Sequence, residues 1–174
     1  DEEDLDAQDD LDKLEIFNHH SMLPMKNSLP RWRASNKLEE APEFKNGRVL
    51  RDYQFEGVQW LLNKWATKQN VILGDEMGLG KTAQSVAMLE TLRKKCGVRG
   101  PFLVVCPAAV IGTWQREIMT WTDMNVVVYH GSAESRELIR KHEWHFKDAR
   151  KSIYRFNVLV TTYEIVLKDL GVLQ

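Results

Sequence analysis

The chain has 174 residues, 43% of them hydrophobic and 28% charged, enough for one domain with a real core. No apolar run nears the ~18 residues of a membrane-spanning helix, and the acidic N-terminus does not read as a signal peptide. The formal charge of −1 hides an asymmetry: residues 1–15 hold nine acidic residues and one Lys, leaving 23 Lys/Arg against 16 Asp/Glu, or +7, over residues 16–174. A mildly basic body is compatible with a polyanionic partner. Cys96 and Cys106 lack any CxxC or Cys/His spacing. Cys106 ends an apolar run and reads as a buried thiol, which fits a reduced, intracellular compartment.

Residues 1–15 are too charged to pack and read as a flexible, solvated segment. Residues 16–49 are irregular. Pro24, Pro30 and Pro42 punctuate them, and Phe17, Trp32 and Phe44 are aromatic anchors. This composition predicts a linker lying along a domain surface. A helical pattern starts at Asp52, the expected N-cap, with Phe55, Val58, Leu61, Leu62 and Trp65 on one face. Gln54 lies in its first turn, 27 residues before Lys81. Most helical glutamines are only solvated. Beside a phosphate site, however, the side-by-side donor and acceptor of the amide match the N6/N7 edge of adenine. Gln54 is therefore a candidate base reader.

The apolar run Val71-Ile72-Leu73 predicts a buried strand. It leads into Gly74-Asp75-Glu76-Met77-Gly78-Leu79-Gly80-Lys81-Thr82, and good helix formers continue from Thr82 to about residue 95. Strand, glycine-rich loop, Gly-Lys-Thr and helix is the context of a nucleotide-phosphate loop. Polyphosphate needs many donors close together. Glycines let backbone N–H groups converge on the oxygens, and the helix N-terminus adds positive potential. Asp75 through Gly80 would form the cradle. Lys81 would reach the β- and γ-phosphates, and Thr82 would place its hydroxyl on Mg²⁺. One position departs from G-x-x-x-x-G-K-[ST]: Asp75 stands where the first glycine belongs, and Gly74 lies one residue earlier. A purely structural turn would not need Lys-Thr directly after it.

Phe102-Leu103-Val104-Val105-Cys106 predicts a second buried strand, ended by Pro107. Val110, Ile111, Trp114, Ile118 and Trp121 form an amphipathic helical stripe expected to pack in the core. Asn125 to Tyr129 reads as a third strand, closed by His130-Gly131-Ser132. Residues 133–151 read as a charged helix, where Arg, Lys and His alternate with acidic residues. The face could be ion-paired and solvated, or it could be a contact surface. Residues 156–160 form a fourth strand running into Thr161-Thr162, and a last helix starts near Glu164. Apolar strands alternating with helices predict an α/β fold, a doubly wound parallel sheet with helices on both faces. Ligands then collect at the carboxyl ends of the strands.

Leu50 through Leu61, followed by Asp75 through Thr82, resembles the opening of the Snf2-type motor of helicase superfamily 2, which drives chromatin remodelling. Residues 38–47 are similar to the approach used by the chromodomain-helicase-DNA-binding (CHD) family. Trp121 through Ser132 looks most like the CHD subgroup that includes Kismet. The resemblance covers roughly residues 30–170 and implies a RecA-like lobe over residues 50–174. It also implies a nuclear ATP hydrolase using ATP and Mg²⁺, with DNA or nucleosomes as partners, histones a further candidate, and no membrane. Gln54 would match the adenine-reading motif, and Lys81 and Thr82 the phosphate-loop motif. Pro107 through Trp114, including Thr113, would match a motif facing the DNA backbone, as would Thr161 and Thr162. Short hydroxyls and backbone amides at strand ends suit phosphates and read no sequence.

Ala109 stands where the family's DNA-facing hydroxyl would be, and Thr113 replaces an Asn. No Asp-Glu-Ala-His, which would supply the Mg²⁺-binding and water-activating carboxylates, occurs in these residues. They therefore read as the first part of lobe 1, unable to hydrolyse ATP by themselves. Two alternatives stay open: a non-enzymatic nucleotide- or chromatin-binding module, and an unrelated phosphate-loop enzyme. A GTPase would need Asn-Lys-x-Asp, which is absent.

Overall fold

The computed structural model describes residues 38–146 and 153–173. Three parallel strands make its sheet: β1 (Phe102–Val105), β2 (Val126–Val128) and β3 (Val158–Thr161). Their order is β1-β3-β2. The helices are α1 (Asp52–Ala66), α2 (Lys81–Cys96), α3 (Ile111–Trp121), α4 (Ala133–His142), α5 (Tyr163–Lys168) and α6 (Leu170–Leu173). The fold is the expected RecA-like α/β arrangement.

β3 returns between its predecessors. The crossover from β1 to β2 through α3 and that from β2 to β3 through α4 therefore run in opposite directions. Right-handed connections then put the two helices on opposite faces of the sheet. The packing has them there. Phe102, Val104, Val126, Val128, Val158 and Val160 face a core that includes Val58 and Leu62 of α1, Val86 of α2 and Ile118 of α3. Val127 and Leu159, the alternate residues, face Tyr129, Trp144, Phe156 and Ile165, with Ile139 of α4 alongside. Covering both faces is what makes β2 and β3 continuously apolar, whereas Leu103, the alternate residue of β1, is 51% exposed. In this second core Trp144 meets Tyr129, Phe156 and Tyr154 edge-on, at centroid separations of 5.1, 5.3 and 6.4 Å.

Polar groups join the elements. The Tyr129 hydroxyl donates to the Asp169 carboxylate at 2.5 Å, and Arg136 Nε reaches the same oxygen at 2.7 Å. Arg136 also donates to the Gly131 carbonyl, and Arg140 donates to the Tyr129 hydroxyl. This knot ties α4 and the end of β2 to the junction of α5 and α6. Arg136 first, then the Tyr129 hydroxyl, holds the Asp169 carboxyl below its ordinary range. In α2, the fully buried Glu90 is paired with Arg93 at 2.8 Å and with Lys94 at 3.2 Å. Lys94 also donates to the Glu43 carbonyl at 2.8 Å, pinning the approach segment. Phe44 anchors that segment edge-on to Trp121, 5.3 Å between centroids. Cys96 and Cys106 are buried free thiols, and burial raises both pKa values.

Several expectations need correction. Residues 71–73 are not a strand: Val71 is 38% and Ile72 89% exposed. A strand exists only by pairing, and no described strand lies beside them. The other strands form, with boundaries shifted by one or two residues. Val110 sits outside α3, in a 3-10 turn, and is exposed. The charged helix stops at His142, since Trp144 and Phe146 turn into the core; residues 147–152 lie outside the described residues. The final helix breaks at Asp169, whose carboxylate belongs to the polar knot. Asp52 is the first helical residue, not the N-cap. Arg51 caps α1, its N–H donating to Gln54 Oε1 at 3.0 Å. Phe17, Trp32 and the acidic residues 1–15 also lie outside the described residues.

Candidate functional site

The loop of residues 74–80 lies between α1 and α2, which pack against each other. Gly80 adopts φ +81° directly before α2, and Gly78 adopts φ +87°. These left-handed angles suit glycine. They let the chain turn sharply into α2, whose first N–H groups have no partner within the helix. Lys81 Nζ donates to the carbonyls of Asp75 and Glu76, at 2.5 and 2.9 Å. The cation is thus folded onto the loop's own oxygens. Thr82, half-buried, takes the second position of α2. Met77 is 95% exposed at the tip, and a Cβ at Gly78 would meet nothing within 4 Å.

Two side chains brace this loop. Gln54 is buried and uses both ends of its amide. Nε2 donates to the Leu79 carbonyl at 3.1 Å, and Oε1 accepts from Arg51. Its Nε2 lies so close to Gly80 that a Cβ there would come within 2.5 Å. Tyr53, largely exposed, sends its hydroxyl to the same Leu79 carbonyl at 3.3 Å. On the other side, Gln84 Nε2 donates to the Asp75 carboxylate at 3.0 Å. Sequence reasoning missed Tyr53, Gln84 and Gly57. A glutamine among the small and apolar residues of Ala83–Ala87 and a glycine inside a long helix were the available signals.

The donor set fits a polyphosphate. One ammonium, one hydroxyl and the unpaired backbone N–H groups of a helix start lie within a few residues of one another, with open space beside Gly78. Lys81 can exchange the two carbonyls for phosphate oxygens. Thr82 supplies the oxygen suited to a hard cation such as Mg²⁺.

The residues expected to face DNA separate into two groups. The Cys106 N–H donates to the Thr161 carbonyl at 2.9 Å, so Pro107 and Thr162 leave adjacent strand ends. Pro107 and Thr113 are exposed, and Trp114 is partly buried against the first core. The Thr161 hydroxyl, by contrast, is buried and donates to the Tyr129 carbonyl at 2.7 Å. The Thr162 hydroxyl accepts from the Ile165 N–H at 3.4 Å as the N-cap of α5. In this structure neither hydroxyl is presented to an outside phosphate. β3 is central, so its end is covered from both sides.

A glycine loop opening a helix with Lys-Thr, beside a parallel sheet covered on both faces, defines a phosphate-loop α/β unit of the RecA-like type. The particular family follows from comparison: the chain belongs to the SNF2-related domain family, whose model matches residues 53–174. It is similar to chromodomain-helicase-DNA-binding protein 8 of Danio rerio, 45% identical over 173 residues, covering 94% of this chain and 7% of that protein. It is also similar to chromodomain-helicase-DNA-binding protein 9 of Homo sapiens, 48% identical over 139 residues, covering 78% and 5% respectively. Chromodomain-helicase-DNA-binding protein 6 of Rattus norvegicus is 42% identical over 174 residues, covering 97% and 6%. Among solved structures, the Sulfolobus solfataricus SWI2/SNF2 ATPase core in complex with dsDNA matches with a TM-score of 0.57 and 28% identity, over 80% of this chain and 26% of that one. The chain thus spans well under a tenth of the length of these curated relatives. Among the described residues, no helix is long and apolar enough to cross a membrane.

Proposed function

We propose that residues 50–174 are the ATP-binding part of a nuclear, ATP-dependent chromatin-remodelling motor, which couples hydrolysis to translocation on nucleosomal DNA. The observation that carries this reading is Lys81, held by two loop carbonyls at the start of α2 in a chain of the SNF2-related family. Lys81 would bind the β- and γ-phosphates of ATP. Thr82 would hold Mg²⁺ through its hydroxyl, and the backbone from Asp75 to Gly80 would cradle the phosphates. Gln54 would read adenine, exchanging its contact to Arg51 or Leu79 for the base. When bound, Mg²⁺-ATP supplies the phosphoryl group and its activating charge.

Double-stranded DNA, the ligand named for the Sulfolobus relative, would lie across the strand ends at Pro107, Thr113, Trp114, Thr161 and Thr162. There it would meet backbone amides and exposed side chains and not the buried Thr161 hydroxyl. Such contacts are to phosphates, so binding should weaken steeply with salt. Histone surfaces would follow as partners on a nucleosome. Residues 1–174 alone contain no Asp-Glu-Ala-His, so by themselves they should bind ATP without turning it over.

The test is ATP hydrolysis by the full-length protein without nucleic acid, with naked DNA and with nucleosomes, each beside Lys81→Ala. Stimulation greatest with nucleosomes and abolished by the substitution is the expected result. Turnover unaffected by Lys81→Ala would refute the reading. A residue 1–174 polypeptide that hydrolyses ATP above its own Lys81→Ala control would refute the binding-only role of this segment.

A further inference from the structure

We propose that Gln84 is the positioning residue of the phosphate loop. It is a buried amide, built into α2 to hold Asp75 and through it the oxygens on which Lys81 rests. The inference rests on the nucleotide-binding reading above.

The Gln84 side chain is fully buried. Its Nε2 donates to the Asp75 carboxylate at 3.0 Å. Its Oε1 is buried with no hydrogen-bond partner. Asp75 can only accept when ionised, so the amide cannot be turned round without setting oxygen against oxygen. Oε1 lies against the backbone of Gly57 in α1, where a Cβ would come within 2.0 Å of it. The arrangement is therefore a chain of contacts. Gly57 leaves the room, Gln84 fills it and reaches Asp75, and the carbonyl of the same Asp75 accepts from Lys81 at 2.5 Å.

Stability alone would not select this arrangement. An orphaned buried amide oxygen and a glycine in a helix interior both cost stability. A methionine at 84 would remove the first cost, and a smaller side chain there would let an alanine at 57 remove the second. Local choices that break stability rules concentrate where function demands a geometry. Here the geometry served is that of Asp75, the exposed residue at the loop's entry. Gln84 needs no contact with nucleotide. It acts by deciding where the loop's first turn sits before phosphate arrives, so that less ordering is left to binding.

The experiment titrates mant-ATP with Mg²⁺ against the full-length protein and four variants (Gln84→Met, Asp75→Ala, the double variant and Asp75→Asn), and records thermal unfolding of each. Lys81→Ala serves as the site control. Gln84→Met should weaken binding about tenfold or more, the loss expected for a hydrogen bond to a charged group. Its melting temperature should change little, because losing the orphaned oxygen offsets losing the hydrogen bond to Asp75. Asp75→Ala should lose a similar factor, and the double variant no more than either single one. Asp75→Asn, which can still accept from Gln84, should recover most of what Asp75→Ala loses.

Wild-type affinity in Gln84→Met, or losses that multiply in the double variant, would overturn the proposal. If Gln84→Met does not fold, Asp75→Ala carries the test, since Asp75 is on the surface; unchanged affinity there overturns the proposal equally. Wild-type protein that does not bind, or Lys81→Ala that binds as well as wild type, would overturn the nucleotide reading and this inference together. Wild type and Lys81→Ala differing while Gln84→Met does not would overturn the inference alone.

Discussion

Gly57→Ala sets helix propensity against packing, and the two predict opposite signs. Gly57 lies inside α1, where replacing glycine by alanine ordinarily stabilises by about 0.5–1 kcal/mol. Here the new Cβ would sit 2.0 Å from Gln84 Oε1 and 3.2 Å from its Cδ. Gln84 is fully buried and packed between helices, so its amide cannot swing into water. Either the helices separate, an overpacking cost of about 1–3 kcal/mol, or the amide gives up the Asp75 carboxylate, a charged hydrogen bond worth about 1.5–3 kcal/mol. A mixture of the two leaves a net loss of about 0.5–2.5 kcal/mol after the propensity gain. For a domain of this size that lowers the melting temperature by roughly 1–10 °C. Thermal and urea unfolding followed by circular dichroism measures it. In a Gln84→Ala background, where the space the new methyl needs is already empty, Gly57→Ala should be neutral or stabilising, so the two losses do not add. A Gly57→Ala protein that melts at or above wild type would refute the packing argument.

Gly80→Ala combines a left-handed φ of +81° with a Cβ 2.5 Å from Gln54 Nε2. It should weaken mant-ATP binding more than tenfold, as expected when backbone strain adds to a lost hydrogen bond. Trp144→Ala removes the ring at the centre of the second core and should cost about 3–5 kcal/mol in urea unfolding. The Asp169 carboxyl is held below its ordinary range, chiefly by Arg136. Its contribution to stability is therefore complete above about pH 4, the unfolded-state value, and is lost as pH falls through the lower folded value. Asp169→Asn should lower the urea midpoint most at neutral pH, and the gap to wild type should narrow through the acid limb. A gap that widens on acidification would contradict the ion-pair assignment.

Much of the site was legible in the chain itself. Gly80-Lys81-Thr82 before a run of helix formers announces a phosphate loop, because polyphosphate imposes the same local demands wherever it binds. Phe102–Val105, Val126–Val128 and Val158–Thr161 announced themselves as apolar runs, because a parallel sheet is covered on both faces. Identity with the SNF2-related family was readable from residues 50–61 and 75–82 for the same reason: function constrains those stretches locally.

Tertiary structure decided what depends on partners distant in sequence. Val71-Ile72-Leu73 has the composition of a strand, but a strand needs a neighbour, and composition does not supply one. Thr161 has the hydroxyl that a DNA contact would want, yet the position of β3 between β1 and β2 turns it onto the Tyr129 carbonyl. Gln54 read as a candidate base reader, and folding commits both ends of its amide to Arg51 and Leu79. The helix begun at Ala133 stops at His142 because Trp144 has a core to enter. Gln84 and Gly57 are 27 residues apart and unremarkable alone. Only the packing of α1 on α2 makes one the space the other requires, since steric complementarity belongs to pairs of residues and a linear sequence does not state which pairs will meet.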